Sequence, residues 1–275
     1  MPTMQTVEDL EIDLLLEGVF RYFGHDFRGY QRDSVRRKLH AFMRSRELRT
    51  VSALQERTLH EPEVGAALLR ALSLRPGALF DDPAYFQLLR RTMVPWLRSF
   101  PSPRIWLAEC ASAEDVYGMA ILLAEEKLLD RTQIFATAEN DVLLAEASEG
   151  GFASEHFESY ERNYRESGGM ADLDAYCARQ GERAVFSEHL RSNIVWAQYS
   201  LATDASFNEF QMIICRRAMP DFGAYLKRRT LQLFYESMPV FGMLSVDRGD
   251  GLDTAPFVSR YKPISSELGL YRRVA

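Results

Sequence analysis

The residues best suited to chemistry lie in Ile105-Trp-Leu-Ala-Glu-Cys-Ala-Ser-Ala-Glu-Asp-Val-Tyr-Gly-Met-Ala-Ile-Leu-Leu123. An apolar run leads into a tight loop, and a helix then opens on Glu114 and Asp115. This is the pattern of the nucleotide-binding corner of a Rossmann-like sheet. Glycine normally allows the positive φ and close backbone approach that such a loop needs. Here the loop reads Ala108-Glu-Cys-Ala-Ser-Ala-Glu-Asp115 and has no glycine. Glu114 and Asp115 also have a plainer role, since acids in a first helical turn complement the helix dipole.

The elements that must position this corner alternate along the chain. The pattern predicts strands at Arg104–Leu107, Thr132–Thr137, Ile194–Gln198, Phe210–Cys215 and Phe241–Val246, and helices at Ala113–Lys127, Asp141–Ser148 and Ala224–Ser237. Runs such as Met212-Ile-Ile-Cys215 suit strands buried on both faces of a parallel sheet. The alternation predicts an α/β fold with right-handed crossovers. Two closing pieces, Phe257–Tyr261 and Gly269–Arg273, are expected to form an antiparallel edge. Residues 150–190 break the rhythm and are expected to be an inserted subdomain on the sheet.

Before this part, residues 6 to about 72 read as helices only, from the 3.6-residue spacing of apolar positions. The second helix, about Tyr30 to Arg46, is dense in basic residues. Ser73-Leu-Arg-Pro-Gly-Ala78 carries turn chemistry and is taken as a linker. Two domains are therefore expected, a helical one over 1–72 and an α/β one over 73–275.

Composition excludes several classes. A net charge of −6 over 275 residues argues against nucleic acid as a partner of the whole surface. Three distant cysteines, Cys110, Cys177 and Cys215, imply no disulfide framework and suit a reducing compartment. The histidines lack metal-ligand spacing, so no metal is expected. No apolar run is long enough to cross a bilayer, and the N-terminus has no signal pattern. A soluble cytoplasmic protein is expected.

From Leu72 onward the chain resembles the CheR-type chemotaxis receptor methyltransferases. The likeness rests on Leu79-Phe-Asp-Asp-Pro83, the 105–123 segment, Ile134-Phe-Ala-Thr137, Phe207-Asn-Glu-Phe-Gln-Met-Ile-Ile-Cys-Arg216 and Leu270-Tyr-Arg-Arg273. The N-terminal helices resemble that family's small helical domain. The resemblance implies a class I methyltransferase sheet with helices on both faces, S-adenosylmethionine as methyl donor, and receptor glutamates as acceptors in bacterial signal transduction. It also implies that Arg32, Arg36, Arg37 and Lys38 of the basic helix dock a protein partner such as a receptor-like helical bundle or another signalling protein.

Several positions depart from the family's pattern. Its Thr-x-Phe-Phe-Arg-Asp-like signature becomes Gly77 for the Thr and Asp81 for the Arg. Both loop glycines are replaced, by Glu109 and Ala113. The Asp that binds the ribose becomes Ala138, with Glu139 and Asn140 following. The His-Asn-Leu near the adenine becomes Tyr199-Ser200-Leu201. Arg217 stands for an Asn and Asp221 for a Tyr, whereas Glu114 keeps the acidic position facing the cofactor's amino group. Arg216 and Arg217 are expected to fill the vacated pocket by pairing with Asp81 or Asp221.

Methyl transfer to a carboxylate is a direct displacement, and the nucleophile is already ionised, with an ordinary pKa of about 4.3. No catalytic residue is therefore singled out, and positioning of the cofactor decides activity. Asp81 and Glu109 would face the cofactor's carboxylate, where like charges ~4 Å apart cost about 1 to 4 kcal/mol. The expected function is a non-catalytic, partner-binding homologue that needs no cofactor. The alternatives are an active protein-glutamate O-methyltransferase with a remodelled pocket, and a module in which Arg216 and Arg217 recognise another, anionic molecule.

Overall fold

The computed structural model describes residues 6–73, 77–110, 112–254 and 256–275. Of the expected linker, 74–76 lie outside the described residues, as does Ala111 of the glycine-free loop.

Four helices come first: α1 (Val7–Phe23), α2 (Arg32–Ser45), α3 (Val51–His60) and α4 (Pro62–Leu72). Local chemistry sets their ends. Thr6 and Asp9 form a reciprocal cap at the start of α1, and Gly24 ends it at φ +81°. Pro62 opens α4, where its missing N–H costs nothing. Ile12, Leu15, Leu39, Leu54 and Leu68 form their common core.

The α/β part contains α5 (Pro83–Arg98), β1 (Arg104–Ala108), α6 (Ala113–Glu125), β2 (Gln133–Ala138) and α7 (Asp141–Ser148). It continues with β3 (Gly151–Ala153), α8 (Phe157–Glu166), β4 (Cys177–Gln180), β5 (Arg183–Phe186), β6 (Ile194–Gln198), β7 (Met212–Cys215), α9 (Ala224–Glu236), β8 (Met243–Val246), β9 (Tyr261–Ser265) and β10 (Leu270–Arg273).

Seven strands form one sheet in the order β6-β2-β1-β7-β8-β10-β9. The first five are mutually parallel, and β10 runs antiparallel to both neighbours. The chain works outward from β1 through β2 to β6, then returns to β7 on the other side. The switch point thus lies between β1 and β7, and ligands of open α/β sheets bind beyond the strand ends there.

Two apolar layers flank the sheet. Leu107 and Ile134 face one side with Met119 and Ile121 of α6, while Trp106 and Phe210 face the other with Phe234 of α9. The buried Trp106 indole donates to Thr137 Oγ1 at 2.8 Å, so its polar atom is paired.

Two expectations need correction. The penultimate strand is Tyr261–Ser265, not Phe257–Tyr261; Phe257 is buried in a turn before it. The 150–190 region has more order than expected, because β3, β5 and β4 make an antiparallel sheet of their own. Phe152, Tyr160, Tyr164 and Phe186 join that region to the α6 side of the core.

The helical bundle seats over the strand ends. Gly223 N–H donates to Gly29 O at 2.8 Å, and Gln31 N–H to Asp221 O at 2.8 Å. Tyr30 bridges to Phe222, which is why α2 begins at Arg32 and not at Tyr30.

Candidate functional site

The site is built outward from β1. Glu109 follows that strand directly and has φ +55°, in the region that favours glycine. Its Oε1 accepts the Glu139 backbone N–H at 3.1 Å. Burial, reinforced by the neighbouring Glu139 carboxylate, pushes the Glu109 carboxyl up to about 8. Beside it, Cys110 N–H donates to Thr137 O at 2.9 Å and its thiol is buried.

The end of β2 supplies the next wall. Ala138 is the last strand residue and is buried, and its carbonyl accepts the Tyr199 N–H at 3.0 Å. Because the strand stops there, Glu139 is free of the strand's alternation. Its carboxylate turns to the helical bundle, accepting the Asp26 N–H at 2.7 Å and the Ser200 hydroxyl at 3.4 Å. Burial raises its carboxyl as well. Asn140 caps α7 by accepting the Leu143 N–H at 3.0 Å, and its amide donates to Ser73 Oγ at 3.2 Å. Leu201 belongs to the core beside Trp106.

The opposite wall comes from the end of β7. Arg217 has φ +71°, and its backbone N–H donates to the Asp247 carboxylate. Its guanidinium reaches Asp81 at 3.1 Å and also pairs with Asp115 in the first turn of α6. Arg216 pairs with Asp82 at 2.9 Å and lies 4.2 Å over the Tyr85 ring. A Cβ on Gly77 would stand 2.3 Å from Arg217 Nη2. A side chain at position 77 and the Arg217 guanidinium would therefore claim the same volume.

The recesses between these walls are small, although Ala113 and Glu114 also line an open cavity of about 680 Å³. The recess bounded by Asp81, Glu109, Met119 and Arg217 holds about 40 Å³. A second recess, bounded by Glu109, Tyr30, Ala138 and Glu139, holds about 10 Å³. A single water needs roughly 10–15 Å³ by this measure, while small-molecule sites run to about 300–1,000 Å³. Glu109 and Cys110 stand in the walls of both.

The structure brings Asp81, Glu109 and Arg217 together, with Ala138 and Asn140 on the far side of Glu109. Ala113 is buried at the start of α6, and Glu114 accepts the Tyr160 hydroxyl at 3.1 Å. Asp221 pairs with Lys38 at 2.7 Å and accepts the Ser34 hydroxyl. The four expected docking cations of the basic helix all make internal contacts. Arg32 reaches Asp13, Arg36 reaches Asp9 at 2.5 Å, Arg37 donates to Ser34 at 3.1 Å, and Lys38 also donates to Leu72 O at 2.8 Å. Sequence reasoning missed Asp115 and Asp247 as partners of Arg217, and Asp26 as the partner of Glu139. The one sequence clue was that Gly77 and Arg217 both depart from the pattern the resemblance implies, which was read as two separate departures and not as one pair.

Comparison with known proteins agrees with this architecture. Residues 77–264 match the CheR methyltransferase SAM binding domain, and residues 10–73 match the CheR methyltransferase all-alpha domain. A Pseudomonas putida protein provisionally named methyltransferase Cher3 is 37% identical, over 98% of this chain and 99% of its own length. A chemotaxis protein methyltransferase of Listeria innocua is 24% identical, over 87% of this chain and 90% of its own. The chemotaxis protein methyltransferase Cher2 of Pseudomonas putida is 22% identical, over 81% and 83%. With its helical bundle, its sheet order and both domain matches, the chain belongs to the CheR methyltransferase family.

Proposed function

We propose that this chain keeps the CheR architecture but does not hold S-adenosylmethionine, and that it acts in chemotaxis-type signalling by binding a protein partner. The observation that carries the reading is the filled cleft at the switch point, with about 40 Å³ beside Arg217 and about 10 Å³ beyond Glu109. The residues present do not fit the methyl donor as the family resemblance would bind it. Glu109 divides the cleft, Arg217 occupies the methionyl end, and Ala138 offers a ribose no acceptor. Glu139, the nearest substitute, already receives the Asp26 N–H.

A second reading draws on Arg217 itself. It returns a cation to the recess from the end of β7, and an active protein-glutamate O-methyltransferase would use it on the methionyl carboxylate. That use requires Arg217 to give up Asp81 and Asp115. An anion-recognising module faces the same requirement.

Isothermal titration of the full chain with S-adenosylmethionine and S-adenosylhomocysteine separates the readings. The proposal expects no saturable heat with either. Micromolar binding of either compound would favour the active enzyme and end the proposal. The partner is sought among receptor-like helical bundles, because members of this family act on chemotaxis receptors. Among the described residues no helix is long and apolar enough to cross a membrane.

A further inference from the structure

A groove of about 600 Å³ runs between the end of α1, α3 and α4 on one side and the start of α7 on the other. Phe23, Leu59, Leu69 and Leu143 line it, and Tyr22 and Val142 stand in its walls 67% and 50% exposed. Single apolar side chains on a surface are ordinary, but a contiguous set marks an interaction site.

Charge narrows the occupant. The four helices carry only three Arg or Lys residues, Arg21, Arg57 and Arg70. Each already holds a carboxylate: Glu17 at 2.6 Å, Glu61 at 2.8 Å and Glu146 at 2.8 Å. Two acids are not matched in this way. Asp141 lines the groove at the start of α7. Glu63 precedes Ala66 and Arg70 by three and seven residues, which puts it on the face of α4 that lines the groove. Neither makes an ion pair among the described residues. His25, whose imidazole feels the Asp141 charge, is held below its ordinary pKa by burial and supplies no cation at neutral pH. An apolar surface edged by two unmatched acids suits a partner that is apolar and basic.

Backbone chemistry narrows its form. None of the described lining residues belongs to a strand, so the groove offers an extended segment no sheet edge to pair with. An occupant must satisfy its own N–H and C=O groups, as a helix does.

We infer that this groove docks a basic amphipathic helix of a protein partner, its apolar face on Tyr22, Leu59 and Leu143 and its lysines or arginines meeting Asp141 and Glu63. This gives the partner binding proposed above a place, and it stands even if the cleft at Glu109 takes a cofactor. The two are neighbours, since His25, Asn140 and Leu143 line both the groove and the recess beyond Glu109. Titration with S-adenosylhomocysteine reads the cleft alone and peptide binding reads the groove, so either can fail without the other.

Fluorescence anisotropy on the full chain tests it with two labelled peptides of about 15 residues, long enough for a helix. Both carry Leu along one helical face; the rest is Lys in one and Glu in the other. The Lys peptide is expected to bind, and the Glu peptide to bind at least about tenfold more weakly, as the loss of charge-assisted hydrogen bonds implies. Glu63→Gln with Asp141→Asn is expected to weaken the Lys peptide by about tenfold, and Tyr22→Ala with Val142→Ser by a similar factor. Asp33→Asn with Asp253→Asn removes the same charge elsewhere on the surface and should change binding by less than about twofold. Circular dichroism checks that each variant folds, and the two peptides on the unaltered chain decide if one does not. No binding of the Lys peptide at millimolar concentration, equal binding of both peptides, or equal weakening by the remote pair would overturn the inference. So would a dimer that forms with rising concentration and is lost with Tyr22 and Val142, because a second copy would then be the occupant.

Discussion

Glu109 and Arg217 both sit at positive φ, a region that favours glycine and tolerates asparagine. A non-glycine residue there costs on the order of 1 kcal/mol. Glu109 carries a second cost, because its carboxyl is raised to about 8 by burial. The folded chain therefore keeps a proton that the unfolded chain gives up near the ordinary value of about 4.3. Stability must fall as pH rises from about 4.5 to about 8, and the full penalty stands above that. Glu109→Gln should match the unaltered chain below pH ~4.5 and be more stable by about 5 kcal/mol above pH ~8. Urea unfolding across that range checks this; a constant difference at all pH values would contradict it. Arg217→Ala should destabilise by about 1–2 kcal/mol, because Asp81 and Asp115 are left facing each other across partly exposed space. Adding Asp115→Asn should recover most of that loss, which a double-mutant cycle measures.

At the scale of elements, α2 does more inside the molecule than its basic composition suggests. Lys38 is largely buried against Asp221 and the end of α4. Removing one partner from a buried pair costs about 3 kcal/mol. Lys38→Ala should lower denaturant stability by about that much, whereas Arg44→Ala on the exposed side should change it by less than about 0.5 kcal/mol. If both are neutral, the seam between bundle and sheet is not where this stability lies. Strands β1, β2, β6 and β7 were legible because their apolar runs are continuous. β3, β4 and β5 have no such run and are three or four residues long, too brief for alternation to register. β9 exposes Lys262 and carries Pro263 at the sheet edge, while the apolar Phe257 drew the reading into the preceding turn.

For the whole molecule, sequence order and sheet order meet at the β1–β7 switch point, and Asp81, Glu109 and Arg217 lie together beside it. What the sequence could not disclose is which distant side chains meet. Asp247 lies 30 residues from Arg217 and Asp26 lies 113 from Glu139, and no local pattern links either pair. On the proposed reading these contacts help to close the cleft. A fold whose frame is intact and whose cleft is filled should regain its ligand when the filling is removed. The direct test is a side-by-side calorimetric titration with S-adenosylhomocysteine of the unaltered chain and a variant carrying Asp81→Arg, Glu109→Gly, Ala113→Gly, Ala138→Asp and Arg217→Asn. The account predicts micromolar binding by the variant and none by the parent. Equal binding by both, or a folded variant that still binds nothing, would contradict it.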